Sequence, residues 1–580
     1  MSVDSQPAID RTRSADVASV PVEPRGLGLR TMRRSRGTVV LAVFVALLAY
    51  VVVWPLIHLQ QRAFEHAGRG YSTAFGTDGV MQVIRDTVVL SGASTLIAAI
   101  LGTGLAWAVT QLPSWLQWMR VLPLLPIVLP MVAVVLGWGF LLSPRPGFLN
   151  TALRQLPWWS HLESGPVDVY SFWWIVVITG FALTAFVYLF VSAGVQNVSA
   201  DHIEAAHSSG ATTTRVFFTI VLPLLRPSLI QGIGVAFLLG VGQFTAPLLL
   251  GSNVGIDVVA TWMLMFTANS PIDYGAAAAM GSPLLVIGLL VILAQRAALG
   301  DQRRFVTHGS KGFRAAGNPS VFAPIAVGLY FLLSTLLPLM ALVLVAVSPF
   351  WSGSPGDFTL ANIRTVLTDD RIVGALQTSV VASVGAALVV LPIGFTAAVV
   401  LVRNQQNRIL KWLLDVLVAL PLGVPAVVFG VGFLLAYSTA PFNLYGTTWV
   451  VVLVYATLML PFATRTLTSG LIALGETYTE ASRACGATPI QTWLRIVVPL
   501  LRGSIAGAGA IIFVMLTHEF SASLLVRAPT VQVMGTLLYD YWTNGQFPVV
   551  AAMALVMTIV TGLGVCVAMF VGGRNAMQNL

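Results

Sequence analysis

Ionisable side chains are so scarce in this chain that any one inside an apolar stretch needs a reason. Thr517-His518-Glu519 lies deep in the run between Ser504 and Arg527, where a carboxyl or imidazole is expensive unless it faces a polar cavity or a partner. An acid and an imidazole so placed could line a path for a polar solute. They would serve equally well as a buried hydrogen-bonding pair that fixes helix packing, and residue type alone leaves both open. Catalysis is a different matter. A phosphate-cradling loop needs Lys followed by Ser or Thr after a glycine-rich turn, but Lys311 is followed by Gly312 and Lys411 by Trp412, and there is no third lysine. There is no nucleophile elbow and no H-E-x-x-H, and the adjacent carboxylates Asp369-Asp370 fall in a loop. His58, His66 and His161 are not at ligand spacing, and Cys485 and Cys566 are too far apart for a metal cluster or disulfide framework. Both cysteines read as small apolar packing residues. We therefore expect no catalytic residue, no metal ligand and no cofactor of the chain's own.

The elements that must position these residues are membrane helices. The 580 residues are 57% hydrophobic and 9% charged, with mean hydropathy +0.85, too apolar for a soluble protein with a polar shell. Runs of about eighteen or more apolar residues, enough to cross ~30 Å of hydrocarbon as helix, occur twelve times. We place them at 39–59, 84–112, 119–143, 172–197, 227–251, 277–296, 321–348, 375–402, 410–437, 449–472, 503–526 and 549–573. With a cytosolic N-terminus, Lys and Arg divide 23 inside to 7 outside, Arg85 being set aside, as the positive-inside rule requires. An even number of spans returns the C-terminus, with Arg574, to the same side. The polar first 36 residues hold seven Arg and lead into a full-length span, which reads as a retained cytosolic tail rather than a cleaved signal. The net charge of +9 is Arg placed beside spans, with no basic groove for nucleic acid.

The chain also repeats itself. Glu204-Ala205-Ala206-His207-Ser208-Ser209-Gly210-Ala211-Thr212 matches Glu480-Ala481-Ser482-Arg483-Ala484-Cys485-Gly486-Ala487-Thr488 at an offset of 276 residues, which continues ungapped through Arg226 and Arg502; 11 of these 23 positions are identical. Phe244-Thr245-Ala246-Pro247-Leu248-Leu249 stays in register with Phe520-Ser521-Ala522-Ser523-Leu524-Leu525. Earlier, and more loosely, Pro126, Pro130, Gly137 and Gly139 resemble Pro421, Pro425, Gly430 and Gly432. These in-span prolines and glycines suit bends that move as well as static kinks. The chain is thus six spans twice, with the strong repeat between the fourth and fifth span of each half. Each copy reads as a helix closed at Gly210 or Gly486, a turn, and a second helix. Thr488-Pro489-Ile490-Gln491 has Thr as N-cap, Pro at the first position and Gln to complete a capping box, whereas Thr212 with Arg215 makes a weaker cap. Each copy is a rigid foot beneath the membrane.

Glu-Ala-Ala, three residues, Gly, and then Ile-x-x-Pro-Leu before a span resembles the signature loop of binding-protein-dependent ATP-binding-cassette importer permeases. The resemblance occurs twice and extends over nearly the whole chain. It implies an all-α membrane fold of about twelve helices in two six-helix halves, the type I permease architecture: a basic tail over 1–38, half 1 over 39–300 with its loop at about 201–226, a linker over 301–320, and half 2 over 321–580 with its loop at about 477–502. It implies docking of two copies of a cytosolic ATPase, which carry the ATP and magnesium, onto Glu204, Ala205, Gly210, Glu480, Ala481 and Gly486. Ser482, where the motif usually has Ala, is a mild departure. An extracytoplasmic binding protein would deliver substrate to the outer loops, Asp357 to Arg371 among them, of a multi-pass protein in the bacterial inner membrane.

Through the repeat, Glu519 corresponds to Gln243 and His518 to Gly242, so Gln243, His518 and Glu519 are the candidates for a path or gate between facing halves. Fusion of two halves resembles the ferric-iron importer permeases, and also thiamine and some phosphonate systems. Phe244 to Gly251, Arg304-Phe305-Val306-Thr307 and Lys311-Gly312 lean towards iron. The competing class, an ion-coupled secondary transporter, would show charge networks inside several spans and no duplicated foot.

Overall fold

The computed structural model describes residues 27–196, 198–299, 320–353, 356–403 and 407–572. Most of the basic tail, the linker residues 301–319 with Arg304 to Thr307 and Lys311-Gly312, and Arg574 lie outside the described residues. Within them the protein is all-α, with no strand and an isolated bridge between Ala528 and Val531. That follows from the solvent: in hydrocarbon a backbone must satisfy its own polar groups, which a helix does segment by segment.

Among the described residues, eight helices are long and apolar enough to cross a bilayer singly, and five further pairs qualify only together, bent by 67° to 109°. Two of these pairs are the third span of each half, which the apolar runs 119–143 and 410–437 presented as straight. Ser114–Val128 meets Met131–Leu142 at 93°, and Arg408–Gly423 meets Ala426–Tyr437 at 109°. Pro130 and Pro425 are the N-caps of the second limbs, and the ring disfavours helical geometry in the residue before it. The fifth spans need correction too. The runs 227–251 and 503–526 are not single helices: Arg226–Val241 and Arg502–Thr517 end mid-run. The chain then turns into a short helical segment, Pro247–Gly251 or Ser521–Val526, and a second short helix, Val259–Ala268 or Met534–Thr543. These last helices were not foreseen.

The two halves superpose in their contacts. The second helix (Val80–Ala108; Asp370–Arg403) packs along the fourth (Phe172–Gln196; Thr448–Leu474). Gly102 lies against Val187 and Tyr188 as Gly394 lies against Ala463 and Thr464. The hydroxyl of Thr87 accepts from Val259 N at 2.9 Å and that of Ser379 from Met534 N at 2.8 Å, so each short helix is pinned to its own second helix.

The leading helices are exchanged. Leu27–Gly76, interrupted at Glu65 to Gly68, packs on Ala426–Tyr437 of the other half, and Phe322–Ala346 packs on Met131–Leu142. Each crossing is a proline against a glycine: Gly432 meets Pro55 and Gly137 meets Pro338 so closely that a Cβ would lie 3.0 Å and 2.4 Å from the proline carbonyl oxygen. The structural partner of Gly137 is therefore Gly432, two residues beyond the pairing that sequence likeness suggested. Small residues at such points let membrane helices approach closely.

Both feet lie at one face. Gln295 Nε2, near the end of the last helix of half 1 (Tyr274–Leu299), donates to the carbonyl of Ile230 just beyond the first foot. The next residue, Arg296, pairs with Asp415 of half 2 at 3.6 Å, and Asp415 pairs with Arg465 at 2.9 Å on the helix that descends into the second foot.

Candidate functional site

The feet fold as their sequences dictate. The first helix of each, Ala200–Ser208 and Thr477–Ala484, ends at a glycine with φ +81°. Gly210 N donates to His207 O and Ala211 N to Ala206 O, as Gly486 N does to Arg483 O and Ala487 N to Ser482 O. This pair of bonds closes a helix and needs the left-handed conformation that glycine adopts without strain. In the second foot Thr488 N donates to Gln491 Oε1 at 3.0 Å while Gln491 N donates to Thr488 Oγ1 at 3.3 Å, the reciprocal cap expected. In the first, Thr212 Oγ1 accepts from Arg215 N at 3.4 Å, a weaker cap on one side only.

Ser482 is explained by its neighbour. Its hydroxyl shares a 2.9 Å hydrogen bond with Thr492, both buried between the two foot helices, where the first foot has Ala206 and Val216. Polar and apolar pairs each satisfy the buried contact. Glu204, Ala205, Gly210, Glu480, Ala481 and Gly486 are all exposed. Beside them Phe218 and Leu494, equivalent through the repeat, are 60% and 65% exposed. Cys485 is exposed on the second foot and Cys566 is also exposed, so neither is the buried packing residue its type suggested.

The mid-membrane candidates sit where the fifth helices break. Gln243 and Glu519 are half-buried in the turns after Val241 and Thr517. The rings of Phe244 and Phe520, the next residues, meet across the halves with centroids 5.5 Å apart. Gly242 abuts Pro425, at the bend of the other half. The two breaks thus meet face to face at the seam.

Their chemistry differs. Glu519 Oε1 accepts from Ala522 N at 2.8 Å, and its Oε2 accepts from Ser523 N at 3.0 Å and Ser523 Oγ at 2.6 Å. Ser523 also shares a 2.7 Å hydrogen bond with the Tyr455 hydroxyl. Glu519 is therefore a side-chain cap on the short helix Ser521–Val526. Gln243 Oε1 accepts from Phe244 N at 3.0 Å, and its Nε2 donates to Thr179 Oγ1 at 3.2 Å. Thr179 is the repeat equivalent of Tyr455, and Pro247 of Ser523. Proline has no N–H, so the first half has one fewer donor to cap. His518 stands beside Glu519 without bonding to it, and its buried Nδ1 has no hydrogen-bond partner among the described residues. The acid and imidazole thus do not form the mutual pair considered above.

Phe244, Phe520 and Ser523 entered the sequence reading only as matched positions of the repeat, and Thr179 and Tyr455 did not enter it. The 276-residue offset aligned the identical phenylalanines but not the contact between their rings. Thr179 and Tyr455 were hidden by unlike side chains. The loop segment Asp357 to Arg371, expected on the outer side, ends in an ionic cluster: Arg371 pairs with Asp540 at 3.8 Å and donates from Nε to Gln532 at 3.1 Å, and Asp540 pairs with Arg527 at 2.7 Å.

Residues 94–299 and 390–574 each match the family described as binding-protein-dependent transport system inner membrane component. A ferric transport system permease protein FbpB of Actinobacillus pleuropneumoniae is 24% identical over 540 residues, covering 89% of this chain and 75% of that protein. A putative ferric transport system permease protein FbpB 1 of Haemophilus influenzae is 26% identical over 461 residues, covering 78% and 71%. A putative 2-aminoethylphosphonate transport system permease protein PhnV of Salmonella typhimurium is 26% identical over 252 residues, covering 43% of this chain but 91% of its own length.

Proposed function

The chain belongs to the family of binding-protein-dependent transport system inner membrane components, and from that premise we propose that it passes ferric iron inward, driven by two ATPase subunits docked on its two feet. It is a multi-pass transport permease rather than an enzyme. The observation that carries the coupling role is the pair of exposed helix-glycine-helix feet at one face, each offering a carboxylate, an alanine and an exposed apolar side chain. That face is the cytosolic one in this reading, with both termini on it and ATP and magnesium held by the ATPases.

The seam where Phe244 meets Phe520 is the gate. Two apolar rings close the way between halves, and the adjoining helix breaks have backbone ends held by side-chain caps rather than by a continuous helix. Gln243 and Glu519 hold the turns that carry these rings, and His518 adjoins them. The transmitted movement opens the halves, and substrate handed over by an external binding protein passes. Iron as cargo rests on the names of the relatives that cover most of the chain. Phosphonate is the second reading, favoured by the PhnV relative, and thiamine the third.

Two measurements test this. Gly210→Glu with Gly486→Glu is expected to abolish co-purification of the ATPase that wild type retains. An ATPase that never associates with wild type points instead to an ion-coupled carrier. Uptake by the reconstituted complex from a panel of ferric chelates, thiamine and phosphonates is expected to favour iron, and a preference for another solute overturns that assignment.

A further inference from the structure

The two feet are tied to the membrane body differently. Arg403, the last residue of the second helix of half 2, donates from Nη1 to Thr479 Oγ1 at 2.8 Å and from Nη2 to Gly475 O at 3.1 Å, both at the start of the second foot. Its guanidinium also lies 4.8 Å from the ring centroid of Trp493, in that foot's second helix, and Phe395 closes edge-on to the same ring at 5.6 Å. One planar cation thus joins three points: the chain leading into the foot, its first helix and its second helix. A guanidinium provides this because its donors form a rigid fork and its face stacks on aromatics.

Among the described residues, no cation of the first half stands at the matching place. Thr87 matches Ser379, and Gly102 matches Gly394, by the contacts described above. Both give an offset of 292 residues, which sets Gln111 opposite Arg403. Phe217 stands opposite Trp493 and touches the Trp107 ring at 5.3 Å. Gln111 follows a 3-10 turn rather than ending a continuous helix, and its carbonyl accepts from Ser320 N. A forked hydrogen bond with a stacked cation fixes direction and distance.

We propose that Arg403 is a positioning residue for coupling: it locks the second foot to the second helix of its half so that they move as one body, while the first foot hinges against its helix. The inference rests on the ATPase-docking reading above. Movement reaching the second half is carried directly along Asp370–Arg403 to the short helix Met534–Thr543, which Ser379 pins, and so to the Phe520 side of the seam.

The test uses the full chain with its ATPase in lipid nanodiscs, with spin labels at the exposed, equivalent pairs Thr396 and Tyr478, and Gly104 and His202. On ATP binding the distance 396–478 is expected to stay constant while 104–202 changes. Arg403→Gln, the side chain of the first half, should make 396–478 change as well. It should lower ferric uptake per ATP hydrolysed by about tenfold, with ATPase association retained and hydrolysis within about twofold of wild type. Arg403→Lys, which keeps the cation but not the fork, should fall between. Trp493→Phe provides a second route to the same loosening should the arginine variants fold poorly. The proposal is overturned if 396–478 changes in wild type as much as 104–202, if both substitutions leave it constant, or if Arg403→Gln instead loses the ATPase. A wild type that binds no ATPase sinks the docking reading, and this inference with it.

Discussion

At the membrane centre the two halves solve one structural problem in two ways. Each interrupts its fifth helix and must satisfy the backbone where a new helical segment begins. The second half uses Glu519, whose two oxygens take Ala522 N, Ser523 N and the Ser523 hydroxyl. The first begins its segment with Pro247, which has no N–H, and needs only the neutral Gln243 on Phe244 N. The comparison teaches that the ionisable residue most prominent in the sequence is explained first as a cap, and that the identical residues beside it, Phe244 and Phe520, are the ones that meet.

The largest expected effect breaks this comparison outright. Glu519→Ala removes acceptors from two backbone N–H groups, each costing roughly 1–3 kcal/mol when buried and unpaired, so uptake should vanish while the ATPase still co-purifies. Normal uptake would show that the turn carrying Phe520 needs no cap. Next is the crossing of the leading helices. Gly137→Ala places a Cβ 2.4 Å from the Pro338 carbonyl oxygen, against 3.0 Å from that of Pro55 for Gly432→Ala. Since helix backbones cannot yield cheaply, Gly137→Ala should cost about 1–3 kcal/mol by overpacking, and clearly more than Gly432→Ala in thermal denaturation of the detergent-solubilised protein. Equal effects would mean the crossings are equivalent.

A sharper test converts one half into the other. Glu519→Gln alone should lower uptake, and adding Ser523→Pro, which removes a donor as Pro247 does, should restore part of it. No recovery would show that Tyr455 and Ser523 matter beyond capping. The smallest effect is in the feet. Ser482→Ala with Thr492→Val recreates the apolar pair Ala206 and Val216, and should shift stability by less than about 1 kcal/mol with ATPase binding unchanged. A large loss would give that hydroxyl pair a role beyond packing.

The feet were legible because their information is local: a closing glycine, a capping box and an uninterrupted offset lie within about two dozen neighbouring residues, and two copies checked each other. The fold class was legible because hydropathy depends on composition over a window as long as a bilayer is thick. The same averaging hid the breaks. A window spanning Val241 to Pro247 or Leu516 to Leu525 is apolar whether its helix is straight or interrupted, and the helices Val259–Ala268 and Met534–Thr543 are too short to register as spans.

Residue type and spacing along the chain are enough to establish a duplicated, helical membrane protein with two matched feet and no phosphate-binding loop of its own. Which surfaces meet emerges only from the folded arrangement: Pro55 on Gly432, Pro338 on Gly137, Phe244 on Phe520, and Arg403 across Trp493. Those choices depend on close approach between segments up to hundreds of residues apart, and in an apolar solvent that approach is set by shape and by the few available polar partners, which no local pattern records.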